Sequence, residues 1–412
     1  MLVAAERQRY LDANPPYLYP AYEITTLRAP REPLVELPAE WFALGPGPNA
    51  SRIRVSPGDD DLLARHDGQP FGQRMVLRGR VLDALARPVH DALVEIWQTN
   101  SAGVYADPSD DHFFPDDPNF VGAGKCLTDA DGSFRFRTIR PAAYPGAPGA
   151  LFRPSHIHVS VIGHDLASRL ITQCYFDHDP LIFLDPIVQS ITDRRGAERL
   201  IATFDPDETI SRGADSAMEY TWAVVLRGHD GDGAAVTAVE EGSPEEAGFL
   251  TPSQTIGPRF GFSLMFENSD SAADPTASDA VEISGRLLDG RGDPVPYPEA
   301  MLELWVGDQF ARTRTDPQGS YRAVLAKPAP FALPDGRLQA PHVNVTIFAR
   351  GLLKQAQTRL YFPDETDANA ADPALAAVPP ARRETLVADA VDRALRFDIR
   401  LQGEDETVFF GF

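Results

Sequence analysis

Cysteine is nearly absent from the chain: Cys126 and Cys174 are the two in 412 residues. Both sit in apolar, strand-like segments, so two buried free thiols are expected rather than a disulfide framework or a thiolate metal site. Long apolar runs are missing too. None approaches the roughly 20 residues of a membrane-spanning helix, so no membrane partner is expected. Residues 1–19 interleave Glu6, Arg7, Arg9 and Asp12 with short apolar pieces and lack the continuous apolar stretch of a secretory signal, which makes a cytoplasmic location the expectation. Positive charge is scarce: 38 Lys and Arg stand against 60 Asp and Glu, a net charge of −22. A phosphate-binding surface needs a basic patch that this sequence does not show, so nucleic acid is excluded as a partner. The same background repels small anions, and an anionic substrate would need arginines placed close to it. Helical periodicity is confined to short stretches, of which Pro186–Thr192 and Pro379–Asp389 are the clearest.

What the chain has instead is a series of short segments rich in Val, Ile, Leu and aromatics, punctuated by Asp turns, 37 Pro and 31 Gly. They read as the strands of an all-β protein, built as two tandem β-sandwich domains with few short helices. A diverged repeat supports the division. Met75–Trp97 matches Val281–Trp305, TDADGSFRF from Thr128 matches TDPQGSYRA from Thr315, and PSHIHVSVIG from Pro154 matches APHVNVTIFARG from Ala340. TQCYF from Thr172 then matches TRLYF from Thr358, and AVVLRG from Ala223 matches DIRLQG from Asp398. The stretch His229–Gly248 is acidic, Gly-rich and aperiodic, as an exposed linker is. The expected domains are residues 1–228 with an N-terminal arm, a linker over 229–250, and residues 251–412. The halves differ in one interval: 31 residues separate Trp97 from Thr128, against 10 between Trp305 and Thr315. The extra residues include Tyr105.

His156 and His158 stand two apart in an alternating run, so a strand would project both imidazoles from one face toward one ion. In the second half the matching pair is His342 and Asn344. Spacing alone fits a structural pair as well as a ligand pair. No H-E-x-x-H or C-x-x-C pattern supplies further ligands, which leaves tyrosines: Tyr144 in a Pro/Gly-rich loop and Tyr105 in a loop of Asp, Gly and Ser. Each would otherwise pack as a lid with a satisfied hydroxyl. Two phenolates with two neutral imidazoles suit a hard trivalent ion, and that points to one non-haem Fe(III) per chain. A free tyrosine titrates near 10, so only a strong Lewis acid keeps two of them ionised at neutral pH.

Longer motifs carry a resemblance. W-Q-x-N-x-x-G-x-Y (Trp97 to Tyr105), D-P-N-F (Asp117–Phe120), R-T-I-x-P-x-x-Y-P (Arg137–Pro145), R-P-x-H-I-H (Arg153–His158) and L-I-T-Q-x-Y-F (Leu170–Phe176) resemble the β subunits of the protocatechuate 3,4-dioxygenase family. T-P-S-Q-T-x-G-P (Thr251–Pro258), F-A-R-G (Phe348–Gly351), R-R-E-T-L (Arg382–Leu386) and the run Arg396–Phe410 resemble the α subunits. The chain reads as a β–α fusion. The resemblance implies intradiol cleavage of protocatechuate by O2 at Fe(III), giving 3-carboxy-cis,cis-muconate, with Tyr105, Tyr144, His156 and His158 as ligands. It makes Tyr144 the ligand that substrate displaces, with Arg153 and Gln173 supporting the chemistry. Substrate is expected against Tyr22, Trp97, Ile187, Thr255, Gly257, Pro258, Arg259 and Arg350, with Arg350 and Tyr22 on the ring carboxylate. The partners expected are a small aromatic catechol and O2, and the assembly a homo-oligomer. The sequence departs from the family at Gly146 and Phe152, where tryptophans are usual, in a loop one residue shorter, and at Arg259, usually aromatic. Those changes keep open another 4-substituted catechol as substrate. The second half alone would also suit a non-catalytic transthyretin-like binding module.

Overall fold

The structure is a computed structural model. It describes residues 14–38, 41–42, 52–110, 114–146, 152–166, 168–210, 216–227, 249–333, 335–392 and 394–411. Eight principal strands build the first half: β1 (Arg74–Leu82), β2 (Leu93–Trp97), β3 (Ala123–Leu127), β4 (Ser133–Ile139), β5 (His156–Ile162), β6 (Arg169–Phe176), β7 (Ile201–Ile210) and β8 (Ala217–Val225). Their order in the sheet is β3-β2-β5-β6-β7-β8-β1-β4. Strand β7 lies parallel to β6 at its start and antiparallel to β8 further on, so it turns the corner between two layers. Val94, Ile96, Ile157, Val159, Val161, Phe136, Tyr220 and Trp222 fill the space between them.

The second half repeats the plan with β9 (Ala280–Leu288), β10 (Ala300–Val306), β11 (Gln309–Arg314), β12 (Ser320–Ala326), β13 (His342–Ala349), β14 (Ala356–Tyr361) and β15 (Ile399–Arg400). Register shows that the sequence repeat is structural. Trp97 pairs with His158 as Trp305 pairs with Asn344, and His156 pairs with Tyr175 as His342 pairs with Tyr361. Val225 lies beside Leu82 as Arg400 lies beside Leu288. The Asp-Gly turns have matching chemistry. Asp129 Oδ1 accepts from the amides of Asp131 and Ser133, and Asp316 Oδ1 accepts from those of Gln318 and Ser320. Each turn carries the chain from one layer to the other, because β3 pairs with β2 whereas β4 pairs with β1.

The halves interlock through exchanged segments. Val35–Glu36 adds to the second half by pairing in parallel with Phe410–Gly411. In return, the Gln254 amide donates to Ile171 O in β6. The linker proposed from composition lies outside the described residues except at 249 and 250, where Leu250 is buried against Leu82, Ala84 and Val225. Helical content is as sparse as expected: Pro186–Gln189 forms a short α-helix (α1), and Pro380–Leu386 a 3-10 helix. No helix among the described residues is long and apolar enough to cross a membrane. Both cysteines are free, but Cys126 is half-buried where the sequence suggested full burial.

Candidate metal centre

Strand β5 decides where the histidines point. Ile157, Val159 and Val161 enter the first core, so alternation sends His156, His158 and Ser160 the other way, toward the second half. Trp97, opposite His158 on β2, stacks on it with 4.8 Å between ring centres and 7° between planes. From the second half, Gly257 approaches the same imidazole so closely that an added Cβ would lie 3.0 Å from Cε1. His158 is held between two walls.

The tyrosines arrive from loops. A two-rung ladder, Tyr144–Pro145 against Phe152–Arg153, sets Tyr144 opposite Arg153. Tyr105 lies in the connection between β2 and β3, where Asn100 Oδ1 accepts from the amides of Ala102 and Val104 and bends the chain. The four side chains converge. Tyr105 OH lies 2.9 Å from His158 Nε2 and 3.1 Å from Tyr144 OH, which lies 3.3 Å from His156 Nε2. Ligands roughly 2.1 Å from a common centre are spaced about 3.0–3.4 Å apart, so the donor set fits one ion. His156 Nδ1 donates to Pro154 O at 2.7 Å, which leaves Nε2 as the free lone pair at the centre. Among the described residues no group of three or more His, Cys, Asp or Glu could hold a metal, so phenol oxygens are needed to complete a site here.

Burial and the nearby Arg153 charge lower both imidazoles well below their ordinary range, which keeps them neutral. Burial raises Tyr105 well above its ordinary value, Tyr144 adds to the effect, and Arg153 and Arg259 pull the other way. Two neutral imidazoles and two buried phenols form a pocket that favours a strong Lewis acid able to displace the phenolic protons.

Arg153 is fixed from several sides. Its Nε and Nη2 donate to Asp185 Oδ2 at 3.0 and 2.7 Å, and Nη2 also reaches Gln173 Oε1 at 2.6 Å and Tyr175 OH at 3.2 Å. Its Nη1 lies 3.5 Å from His156 Nε2. Gln173 Nε2 donates to Thr255 O at 3.1 Å, tying this system to the second half. Asp185 also caps α1, with Oδ1 accepting from the Ile187 amide at 2.9 Å. Neither Asp185 nor Tyr175 was singled out from sequence. The Asp-Pro pair before Ile187 signals a helix cap, but nothing in it reveals that the other carboxylate oxygen holds an arginine.

Of the other residues expected at substrate, Tyr22 shares hydrogen bonds with Arg350 and Thr255 and lies within the field of Arg153, and burial raises its hydroxyl above the ordinary range. Arg350 Nη1 donates to Glu299 Oε1 at 3.1 Å, and Glu299 is shared with Arg28. Ile187 is buried on α1. Trp97 is fully buried behind His158, and Pro258 is half-buried beside Gly257. Arg259 has its Nε 3.4 Å from Asp110 Oδ2 and donates from Nη2 to Ser109 O at 3.4 Å. Phe152 is exposed, and Gly146 is half-buried at the edge of the undescribed residues 147–151.

Comparison with known proteins gives the class first. A family profile described as "Dioxygenase" matches residues 47–228. The protocatechuate 3,4-dioxygenase beta chain of Burkholderia cepacia is 43% identical over 221 residues, 53% of this chain and 92% of that one. The alpha chain from the same organism is 40% identical over 195 residues, 39% of this chain and 96% of that one, and it matches a different part. Catechol 1,2-dioxygenase of Candida albicans is 37% identical over 118 residues, 26% of this chain and 37% of that one. The chain belongs to the intradiol dioxygenase family, with a beta-chain-like first half and an alpha-chain-like second half.

Proposed function

We propose that the chain cleaves protocatechuate between its two hydroxyl-bearing carbons with O2, at one ferric ion held by Tyr105, Tyr144, His156 and His158, to give 3-carboxy-cis,cis-muconate. The observation that carries the reading is the convergence of four donor atoms with neighbouring spacings of 2.9, 3.1 and 3.3 Å. Ferric iron, when bound, would hold the two catechol oxygens and make the ring open to dioxygen. The chain's own groups do the rest. His156 and His158 hold their rings rigidly as neutral donors. Tyr144, carried by the short ladder, would be the ligand that gives way to substrate, and its oxygen would take a phenolic proton. Arg153, locked by Asp185, offers a fixed positive charge where negative charge develops, a role typically worth a few kcal/mol. Arg350 and Tyr22 would receive the ring carboxylate, supplying the local cation that a net charge of −22 makes necessary.

The test is a substrate panel on the iron-loaded protein and on Arg350→Ala. A charge-assisted hydrogen bond to a carboxylate is worth roughly 1.5–3 kcal/mol, so kcat/KM for protocatechuate should fall at least about tenfold while unsubstituted catechol changes little. Equal losses on both substrates would remove Arg350 as the carboxylate reader. A second reading, another 4-substituted catechol, is favoured by Gly146 and Phe152 and would show as a higher kcat/KM for that catechol in the same panel.

A further inference from the structure

We propose that Arg259 and Tyr297, both from the second half, are positioning residues that clamp the loop carrying Tyr105, so that the second half shapes the metal centre as well as the substrate wall. The inference rests on the reading of Tyr105 as a ligand. The described residues of the loop between Trp97 and Ala123 contain no strand, and its form around Tyr105 depends on two carboxylates. Asp110 Oδ2 accepts from the Tyr105 amide at 2.9 Å, and Asp107 Oδ1 accepts from the Ser109 amide at 2.9 Å and from its hydroxyl at 2.6 Å. Asp110 has a side chain only 1% exposed and Asp107 is 4% exposed. Buried carboxylates need partners.

The second half supplies one to each. Tyr297 OH donates to Asp107 Oδ2 at 2.7 Å, and Arg259 places its guanidinium against Asp110 and the Ser109 carbonyl. Neither clamp is a loose surface contact. Arg259 has φ +65, in the left-handed region that costs a side-chain-bearing residue energy, just after Gly257 at φ +71. Its side chain is 14% exposed. Tyr297 carries the Arg314 guanidinium 4.3 Å over its ring and packs edge-on against Phe260. Burial, with Asp107, pushes its hydroxyl up to about 12, so it remains a donor across neutral pH. Phe262 adds an apolar contact, its ring centre 6.5 Å from that of Tyr105. Arg259 also puts a permanent cation beside Asp110, and its charge acts on the Tyr105 hydroxyl.

The experiment uses the full chain with Arg259→Gln, Tyr297→Phe, the double substitution, and Arg259→Lys. Amide hydrogen exchange on the metal-free protein should speed up roughly tenfold across residues 102–110 in the single variants and more in the double, with β5 unchanged. On the iron-loaded protein, release of ferric iron to a chelator should quicken in the same order and the tyrosinate charge-transfer band should shift, with Arg259→Lys restoring most of both. If the double variant does not fold, the single variants carry the comparison. Exchange and iron release identical to the parent in both single variants would overturn the clamp. A parent chain that takes up no ferric iron would instead defeat the metal reading, while the exchange measurement would still decide whether the loop is held from the second half.

Discussion

At the scale of single residues, the proposed metal centre depends on groups that fulfil two constraints at once. His158 must face the donors with Nε2 while its ring fills the slot between Trp97 and Gly257. Replacing His158 or Tyr105 with Ala should therefore abolish tightly bound iron and the visible band while the protein stays folded, because one strand face and a loop carry these side chains rather than the two sandwich cores. Full iron content in His158→Ala, measured by metal analysis, would contradict the ligand set. Gly257→Ala tests the opposing wall. The new Cβ would sit 3.0 Å from His158 Cε1, at a φ of +71 that already disfavours a side chain. The expected cost is about 1–2 kcal/mol of stability, read by denaturant unfolding, together with weakened iron retention. An unchanged unfolding midpoint would mean that the loop relaxes away from the histidine. These two sites were visible in the sequence to different degrees. The alternation His156-Ile157-His158 reads directly as two imidazoles on one strand face, whereas the contact between Gly257 and His158 joins residues 99 positions apart and no local pattern encodes it.

At the scale of elements, the corresponding strands β5 and β13 show how one scaffold carries two different centres. His342 keeps the place of His156, with Nδ1 donating to Ala340 O at 2.8 Å, but Asn344 replaces His158 and Arg359 replaces Gln173. Arg359 is fully buried, donates from Nε to Asn344 Oδ1 at 3.1 Å, and puts a fixed guanidinium among groups whose counterparts in the first half surround the proposed metal site. Burial, and then the charge of Arg359, lowers His342 well below its ordinary value. An unfolded histidine titrates near 6.5, so below about that pH the unfolded chain takes up a proton that the folded one refuses. Stability should consequently fall as pH drops below about 6.5, by up to about 1.4 kcal/mol per pH unit for each such group. Denaturant unfolding of the metal-free protein at several pH values should show a shallower decline for His342→Asn, whose amide can still donate to Ala340 O. An unchanged slope would mean that His342 is protonated in the fold. The repeat, the strand faces and the Asp-Gly turns were all legible, because each follows from alternation or turn chemistry within a few residues. Register alone reveals that those turns are corners between layers, since which strands pair is set by packing between distant segments.

At the scale of the whole molecule, the two halves meet through charge as well as through apolar surface. Trp97, Tyr105, Tyr144 and Ile171 share an apolar cluster with Ile256, Phe260, Leu264, Met301 and Phe348. Beside it, Arg312 donates to both oxygens of Glu95 at 2.9 and 3.0 Å and to Glu303 at 3.0 Å, while Arg169 holds Glu303 at 2.8 and 2.9 Å. Glu95 and Glu303 are corresponding residues of the repeat, each two before the strand's Trp, so the network lies where equivalent strands of the halves face one another. All four side chains are at most 2% exposed. Burial alone would raise Glu303, yet Arg169 and Arg312 hold it below its ordinary value. Separating the halves would leave Glu303 with Arg312 alone and take from Glu95 the arginine that pairs it. Removing one member of such a buried network typically costs 3–5 kcal/mol, because the remaining charge is left uncompensated. Arg312→Met should reach that range and leave the two glutamates facing each other. The same logic governs separation of the halves. A fragment of residues 1–227 would expose the apolar cluster, leave Glu95 and Arg169 without their partners from the second half, and lose Gly257 behind His158. It should express poorly, retain little ferric iron and show little ring-cleaving activity, whereas residues 1–227 and 249–412 produced together should recover iron binding and activity in a stable complex. Full activity from the first fragment alone would show that neither the network nor Gly257 behind His158 is needed, and that the second half contributes nothing the first cannot supply.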